Sequence, residues 1–331
     1  MLHWKSRRLL TRAFPARSAA FPKFDVHQPG RPFRQLLFRN ARRGPRSRHG
    51  WESAMFRNIL VHIPSERPVR AVIDVAIGLT IERRSHLDAV AIGYESMSSA
   101  GMMVDGSGAA VALVMGAEQE RAQERANAAI SVFEIEAKLA KVAYGTRAIT
   151  AIPAEAGPAI GALARLYDMT IVLQPDSANF SFDNHIPQEI LFNSGGPMLM
   201  VPYIHKGPLD VHHIGIAWDG SRLAARALRD AMPFLMGAKA VTVIAVNEEA
   251  GEASSDQLVS HLARRGITAR VQRVTVERGD VQGAILSIAA ESNMGLLVMG
   301  GYGHSRLHES ILGGVTRGMF DSMTVPVLMS H

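Results

Sequence analysis

The sequence predicts an α/β fold built as two tandem open-sheet domains, each a five-stranded parallel sheet flanked by helices. Three observations predict it. Beyond Met55, short β-branched runs alternate with longer amphipathic stretches, as βαβ units around a parallel sheet require. The order β-α-β-α-β-α-β-α-β then occurs twice, an internal duplication. Both copies close on a similar phrase, Gly196-Pro197-Met198-Leu199-Met200-Val201-Pro202 in the first and Thr324-Val325-Pro326-Val327-Leu328-Met329 in the second.

In the first copy, strands are expected at Asn58–Ile63, Leu87–Gly93, Arg147–Ala151, Thr170–Gln174 and Met198–Val201. Helices are expected at Pro68–Glu82, Ala117–Lys141, Pro158–Tyr167 and Pro187–Phe192. In the long second helix, Ile130, Phe133, Ala137 and Ala140 recur at spacings of three and four and so share one face. In the second copy, strands are expected at His213–Trp218, Ala240–Val246, Ala269–Val276, Leu296–Met299 and Val325–Met329. Its helices fall at Leu223–Leu235, Ser255–Arg264, Val281–Ser292 and Ile311–Met323. Lys206-Gly207-Pro208 supplies linker chemistry between the copies. The expected organisation is a leader at 1–54, a first domain at 55–207 and a second at 208–331, the two domains packing on each other as a homodimer would.

Charge separates the leader from the body. Residues 1–54 carry 13 Lys and Arg against Asp25 and Glu52, a net +11, which leaves 23 basic and 28 acidic residues, −5, in the remainder. The overall +6 therefore gives no support to nucleic-acid binding by the body. Prolines at 15, 22, 29, 32 and 45 interrupt any helix in the leader. It reads as a basic arm, a transit peptide or an extension ahead of a chain starting near Met55, and the last is favoured because Met55 directly precedes a strand. No apolar run reaches the roughly 18–20 residues of a membrane helix. There are no cysteines, which excludes disulfides and thiolate chemistry and is compatible with a reducing, cytoplasmic location.

Two segments of the second copy carry candidate chemistry. Ala217-Trp218-Asp219-Gly220-Ser221 places an acid at a strand's C-terminal end, where open α/β sheets bind ligands and where a carboxylate accepts from an adenine amino group or a ribose hydroxyl. The structural alternative is that Asp219 caps the helix that begins near Arg222, with Gly220 and Ser221 forming the turn. The second segment runs from Leu297 through Gly300, Gly301 and Gly303 to Gly313, Gly314 and Thr316. Glycines let backbone N–H groups approach phosphate oxygens, and the following helix start favours anions. Thr316 adds a hydroxyl, and His304, Arg306 and Arg317 add nearby charge. The alternative is a glycine-rich surface loop without a ligand.

Together with the strand order, these segments resemble the universal stress protein family, whose phosphate motif is Gly, two residues, Gly, nine residues, Gly, then Ser or Thr. Gly300, Gly303 and Gly313 match that spacing, while Gly314 stands at the hydroxyl position and Thr316 two residues later. Asp219 matches the strand-end aspartate near the adenine, Val246 an adenine-contacting position and Gly279 a glycine near the ribose. The resemblance spans about residues 55–331 as two copies. It implies a Rossmann-like, adenine nucleotide α-hydrolase-like fold. The implied ligand is ATP, ADP or AMP in the second domain, alone or with Mg²⁺, with the terminal phosphate least well held because Gly314 lacks a hydroxyl. The first copy departs from the pattern. It has Val61-His62-Ile63-Pro64-Ser65 without an aspartate and Gln174-Pro175-Asp176 where the second copy has glycines, so about one nucleotide per chain is expected.

The implied role is a nucleotide-responsive stress or signalling module with no dedicated catalytic residue. The competing readings are a nucleotide-free dimerisation scaffold and a slow ATPase or autophosphorylating enzyme, for which His304 is the best available base. The expected partners are the nucleotide, the other half of the chain and a second copy. No membrane is expected, and no nucleic acid other than through the leader. No metal site is expected: His304 and His308 share a helical spacing without a carboxylate cluster, and His212 and His213 point to opposite strand faces. No Gly-x-Ser-x-Gly elbow is present. The 16 methionines read as core filler, and Gly101 to Gly108 as a connecting or covering loop. Replacing Gly300 or Gly313 by a bulky residue is expected to abolish ligand binding while leaving the fold.

Overall fold

The computed structural model describes residues 56–95, 108–249, 251, 253–301 and 314–331. The leader, residues 101–107, Gly303, His304, Arg306, His308 and Gly313 lie outside the described residues.

The first half runs β1 (Asn58–His62), α1 (Arg70–Arg83), β2 (His86–Tyr94), α2 (Gly108–Ala140), β3 (Tyr144–Ala151), α3 (Pro153–Ala164), β4 (Met169–Leu173), α4 (Ile186–Asn193) and β5 (Met198–Val201). The second runs β6 (His213–Ala217), α5 (Arg222–Asp230), α6 (Met232–Leu235), β7 (Ala240–Val246), α7 (Ser255–Ala263), β8 (Ala269–Val274), α8 (Val281–Glu291), β9 (Leu296–Gly300), α9 (Val315–Ser322) and β10 (Val327–Ser330). The central strands are continuously apolar because helices cover both faces of the sheet; every residue of β4 and β5 is buried.

All strands belong to one sheet in the order β3-β2-β1-β4-β5-β10-β9-β6-β7-β8. Within each half the pairing is parallel, and the two halves repeat one order from either end of the sheet. The halves meet where β5 and β10 pair antiparallel, Met200 opposite Val327 and Met198 opposite Met329. The matching terminal phrases are thus the two strands of the junction. Met198 to Val201 and Val327 to Met329 are fully buried there. Burying such side chains is worth about 1.5–3 kcal/mol each, so the junction is a continuous piece of core rather than a loose contact between domains.

Several elements differ from their expected bounds, among them α2, which starts at Gly108 and not at Ala117, and three others do so for local reasons. The expected helix Leu223–Leu235 is two helices, α5 and α6. The break falls at Ala231, ahead of Pro233, which occupies the first turn of α6. The helix expected from Pro158 starts instead at Pro153, which suits a first turn, and Pro158 lies inside it. Strand β3 extends back to Tyr144, in register with Leu87 on β2. The long helix α2 packs Ala126, Ile130, Phe133 and Ala137 into the core, the face its periodicity indicates.

Candidate functional site

In the second half, strand order reverses direction at β6: the chain moves from β6 outward to β7 and β8, then returns to β9 on the other side. The carboxyl ends of β6 and β9 therefore flank a topological switch point, the usual ligand crevice of open α/β sheets. Asp219 follows β6, Val246 closes β7 and Gly300 closes β9, so one sheet edge carries all three. Gly279 lies in the 3-10 turn Arg278–Asp280 that opens α8, on the same side of the sheet. Gly314 and Thr316 stand at the start of α9, the helix between β9 and its parallel neighbour β10.

Asp219 is exposed, and its Oδ1 accepts the Ser221 N–H at 2.9 Å. Ser221 in turn caps α5, its Oγ accepting the Ala224 N–H at 3.1 Å. The turn anticipated as the alternative for this segment is present, but the helix cap is Ser221 and not Asp219, which instead closes the turn ahead of it. That turn engages only one carboxylate oxygen and leaves Oδ2, at the strand end, able to accept from a ligand. Gly220 adopts φ +73°, a left-handed conformation that an L side chain resists, and it sits close under the Ala253 carbonyl.

The loop between β7 and α7 is pinned over this edge. Trp218 Nε1 donates to the Ala253 carbonyl at 2.8 Å. Glu248 accepts from the Ser255 N–H and hydroxyl and from Arg273, and Arg273 also pairs with Asp256 at 2.7 Å. The Ser255 N–H, followed by the Ser255 hydroxyl and Arg273, holds the Glu248 carboxyl below its usual range. Half-buried Val246 lies opposite Val274 of β8 and packs against the core on that face of the sheet. Asn247, in the left-handed region at φ +53°, accepts the Val276 N–H at 2.8 Å and ties the ends of β7 and β8 together. Asn247 was not singled out from sequence, and Trp218 and Ser221 entered only as neighbours of Asp219. A tryptophan beside a strand end, a serine before a helix and an asparagine closing an apolar run are the weak signals each offered.

Gly300 has a packing role that spacing did not disclose. A Cβ built on it would lie 2.6 Å from Ala224 N, 2.7 Å from Leu223 C and 2.9 Å from Leu223 Cβ. The end of β9 thus presses on the first turn of α5, and only glycine fits. The expectation that a bulky residue at Gly300 leaves the fold intact is therefore corrected: the obstructing atoms are mostly helix backbone. Gly279, by contrast, faces open space. Gly314 provides no side-chain cap for α9, so the first turn of α9 offers backbone N–H groups of the kind that favour anions. Thr316 is buried in that turn.

The first half forms one wall of this region. Leu191 of α4 packs against Gly301, 2.9 Å from a built Cβ, and the His331 ring nitrogen Nδ1 lies 3.0 Å from the Gly301 carbonyl. Buried Gln174 donates from Nε2 to the Phe320 carbonyl of α9 at 3.1 Å. At the first half's own switch point, between β1 and β4, the arrangement is different. Asp183, almost fully buried, accepts the N–H groups of Ser65 and Glu66, both at 3.0 Å, and the Tyr94 hydroxyl at 2.9 Å. Burial raises the Asp183 carboxyl to about 6, against those donors and Arg67, which lower it. Burial also lowers neighbouring His62 to about 3, with Arg67 adding to the effect. Burial and the Asp183 charge push the Tyr94 hydroxyl far upward.

Residues 211–331 match the model of the Universal stress protein family. This half of the chain is a universal stress protein domain. Its switch-point edge, with Asp219, Val246 and Gly300, falls inside the matched residues, and the match does not extend into the first half. No curated protein sequence matches the chain. A universal stress protein from Archaeoglobus fulgidus DSM 4304 is similar in structure, with a TM-score of 0.60 and 16% identity, over 82% of this chain and 97% of that one. A functionally unknown protein from Pseudomonas aeruginosa PAO1 is similar with a TM-score of 0.50 and 15% identity, over 83% and 92% of the two chains. At these identities the likeness is one of fold, and it takes in the first half as well as the universal stress protein domain. Among the described residues, no helix is long and apolar enough to cross a membrane, and no group of three or more His, Asp or Glu is arranged to hold a metal.

Proposed function

We propose that the universal stress protein domain binds an adenine nucleotide across the carboxyl ends of β6, β7 and β9, and that the chain acts in a stress response or signalling through that bound state. The observation that carries the reading is the gathering of Asp219, Val246 and Gly300 at one switch point within the family match. Asp219 Oδ2 would accept from the adenine or ribose, Val246 would line the base, and Gly279 would lie toward the ribose. The backbone at Gly300, Gly303, Gly313 and Gly314, with Thr316, would hold the phosphates, with Mg²⁺ as their companion cation. AMP or ADP fits this set as well as ATP, because Gly314 supplies no hydroxyl to a terminal phosphate. The nucleotide would supply a charge and shape signal, and the chain's own residues would bind and orient it without a dedicated catalytic group.

The test is to denature freshly purified protein, identify released small molecules by mass spectrometry, and measure thermal shifts with ATP, ADP and AMP. Adenine nucleotide at a substantial fraction of one per chain is expected. A nucleotide-free scaffold is the second reading. It is favoured by the packing reason for Gly300 and by the continuous sheet through β5 and β10, and it would be left standing by empty protein with no thermal shift.

A further inference from the structure

The connection from β4 to α4 in the first half corresponds in topology to the glycine-bearing connection from β9 to α9. In place of glycines it carries Asp183, 118 residues from Ser65 in sequence, and delivers that side chain to the end of β1. Two consecutive backbone N–H groups, Ser65 and Glu66, converge on one carboxylate oxygen, and Tyr94 donates to the other. Such paired backbone donors are an anion-binding concavity. Glu66 is drawn into the same closure, accepting from the Ser181 hydroxyl and the Phe182 N–H. Arg67 Nη1 donates to the Gln174 carbonyl at 2.6 Å and to Asn184 at 3.1 Å, which anchors the segment at its other end.

A second observation comes from the other side of the carboxylate. His62 Nε2 is buried without a hydrogen-bond partner and stands 3.5 Å from Asp183 Oδ1. An orphaned buried polar atom is costly, and this one lies beside the carboxylate oxygen that Tyr94 also bonds, so Asp183 leaves a polar group next to it unsatisfied.

We propose that Asp183 serves the first half as a built-in anionic ligand, closing that crevice with its own carboxylate over a latent site for a small carboxylate anion. The first half therefore takes no ligand from solution in the native protein, whatever the second half binds. The proposal stands apart from the nucleotide reading, since none of its residues belongs to the universal stress protein domain.

Removing the side chain converts the internal ligand into an external one, and the probe is sodium formate. Asp183→Gly is melted, followed by near-ultraviolet circular dichroism, in formate and in sodium chloride of equal ionic strength. Asp183→Gly is expected to melt below the native protein, and formate is expected to raise its midpoint saturably by several degrees beyond chloride. The native protein and Asp183→Asn, whose side chains still fill the site, are expected to respond equally to both salts. If Asp183→Gly is unfolded at ambient temperature, formate is expected to restore its far-ultraviolet signal where chloride does not. Equal effects of the two salts on Asp183→Gly, folded or unfolded, would overturn the proposal, as would a formate response of the same size in the native protein.

Discussion

Gly300 offers the sharpest separation of packing from ligand chemistry. The change Gly300→Ala adds one methyl group, and the atoms it meets at 2.6 and 2.7 Å are backbone atoms of Ala224 and Leu223 in the first turn of α5. Real Cβ atoms essentially never approach heavy atoms this closely, so the helix or the strand end must move by several tenths of an ångström. Neither moves freely. α5 is tied to the sheet by Leu223, Ala224, Ala227 and Leu228, all buried, and Asp230 accepts from the Ser330 hydroxyl on β10 at 2.7 Å. Overpacking of this kind costs about 1–3 kcal/mol. At roughly 2–4 °C per kcal/mol for a chain of this size, the midpoint should fall by roughly 3–10 °C. The assay is thermal unfolding of nucleotide-free protein, so that lost binding cannot contribute. Gly279→Ala is the control, because no atom lies within 4 Å of its added methyl; its midpoint should stay within about 1 °C of the parent or rise slightly. A Gly300→Ala midpoint equal to that of the parent would refute the packing argument and return Gly300 to a purely ligand-binding role.

Other predictions concern the first half and the caps. For Asp183, whose carboxyl is raised from 3.8 to about 6, ionisation works against folding, so its contribution to stability is lost as pH rises from about 4 to about 6, to the extent of roughly 3 kcal/mol. For His62, lowered from 6.5 to about 3, stability is present above 6.5 and lost as pH falls toward 3, by at most roughly 5 kcal/mol. The two slopes oppose each other between about pH 4 and 6. Denaturant titrations should therefore show Asp183→Asn losing stability more steeply than the parent on acidification, and His62→Asn losing it less steeply or gaining it; parallel profiles for all three proteins would contradict the assignment. Ser221→Ala removes the cap of α5 and should cost about 0.5–2 kcal/mol by urea denaturation. Leu328→Ala, at the fully buried β5–β10 junction, should cost about 2–5 kcal/mol and destabilise both halves together, seen as one shifted transition rather than a separate early one.

Strand and helix placement was legible because burial on both sheet faces writes continuous apolar runs into the sequence, and because duplication let one half check the other. Pro233 was the available signal for the break between α5 and α6, since a proline has no N–H to continue the hydrogen bonding of a preceding helix. The site was legible only in its backbone pattern. Strand-end position brought out Asp219, glycine spacing brought out Gly300, and Val246 entered only through the family resemblance, whereas the packing reason for Gly300 depends on how closely α5 rides over β9, a distance that no local sequence window contains. Asp183 was invisible for the same reason. Its partners Ser65, Glu66 and Tyr94 are 89 to 118 residues away, and nothing in Phe182-Asp183-Asn184 distinguishes a ligand mimic from a turn. The first copy's missing aspartate and glycines led to the expectation of no ligand there, and in the structure the Asp183 carboxylate accepts from the backbone at the end of β1.

The proposed role of the universal stress protein domain rests on its binding one adenine nucleotide at the β6–β9 switch point. Isothermal titration of the full chain with ATP and AMP, beside Asp219→Ala, tests it most directly. Asp219 is exposed and, among the described residues, bonds to the Ser221 N–H alone, so the variant should stay folded. The account predicts about one nucleotide per chain, as one functional crevice and one self-filled crevice require, and a roughly ten- to hundredfold weaker affinity in Asp219→Ala, the loss of a hydrogen bond to a charged acceptor. No binding of either nucleotide to the parent chain, or equal affinity in the folded Asp219→Ala protein, would contradict it.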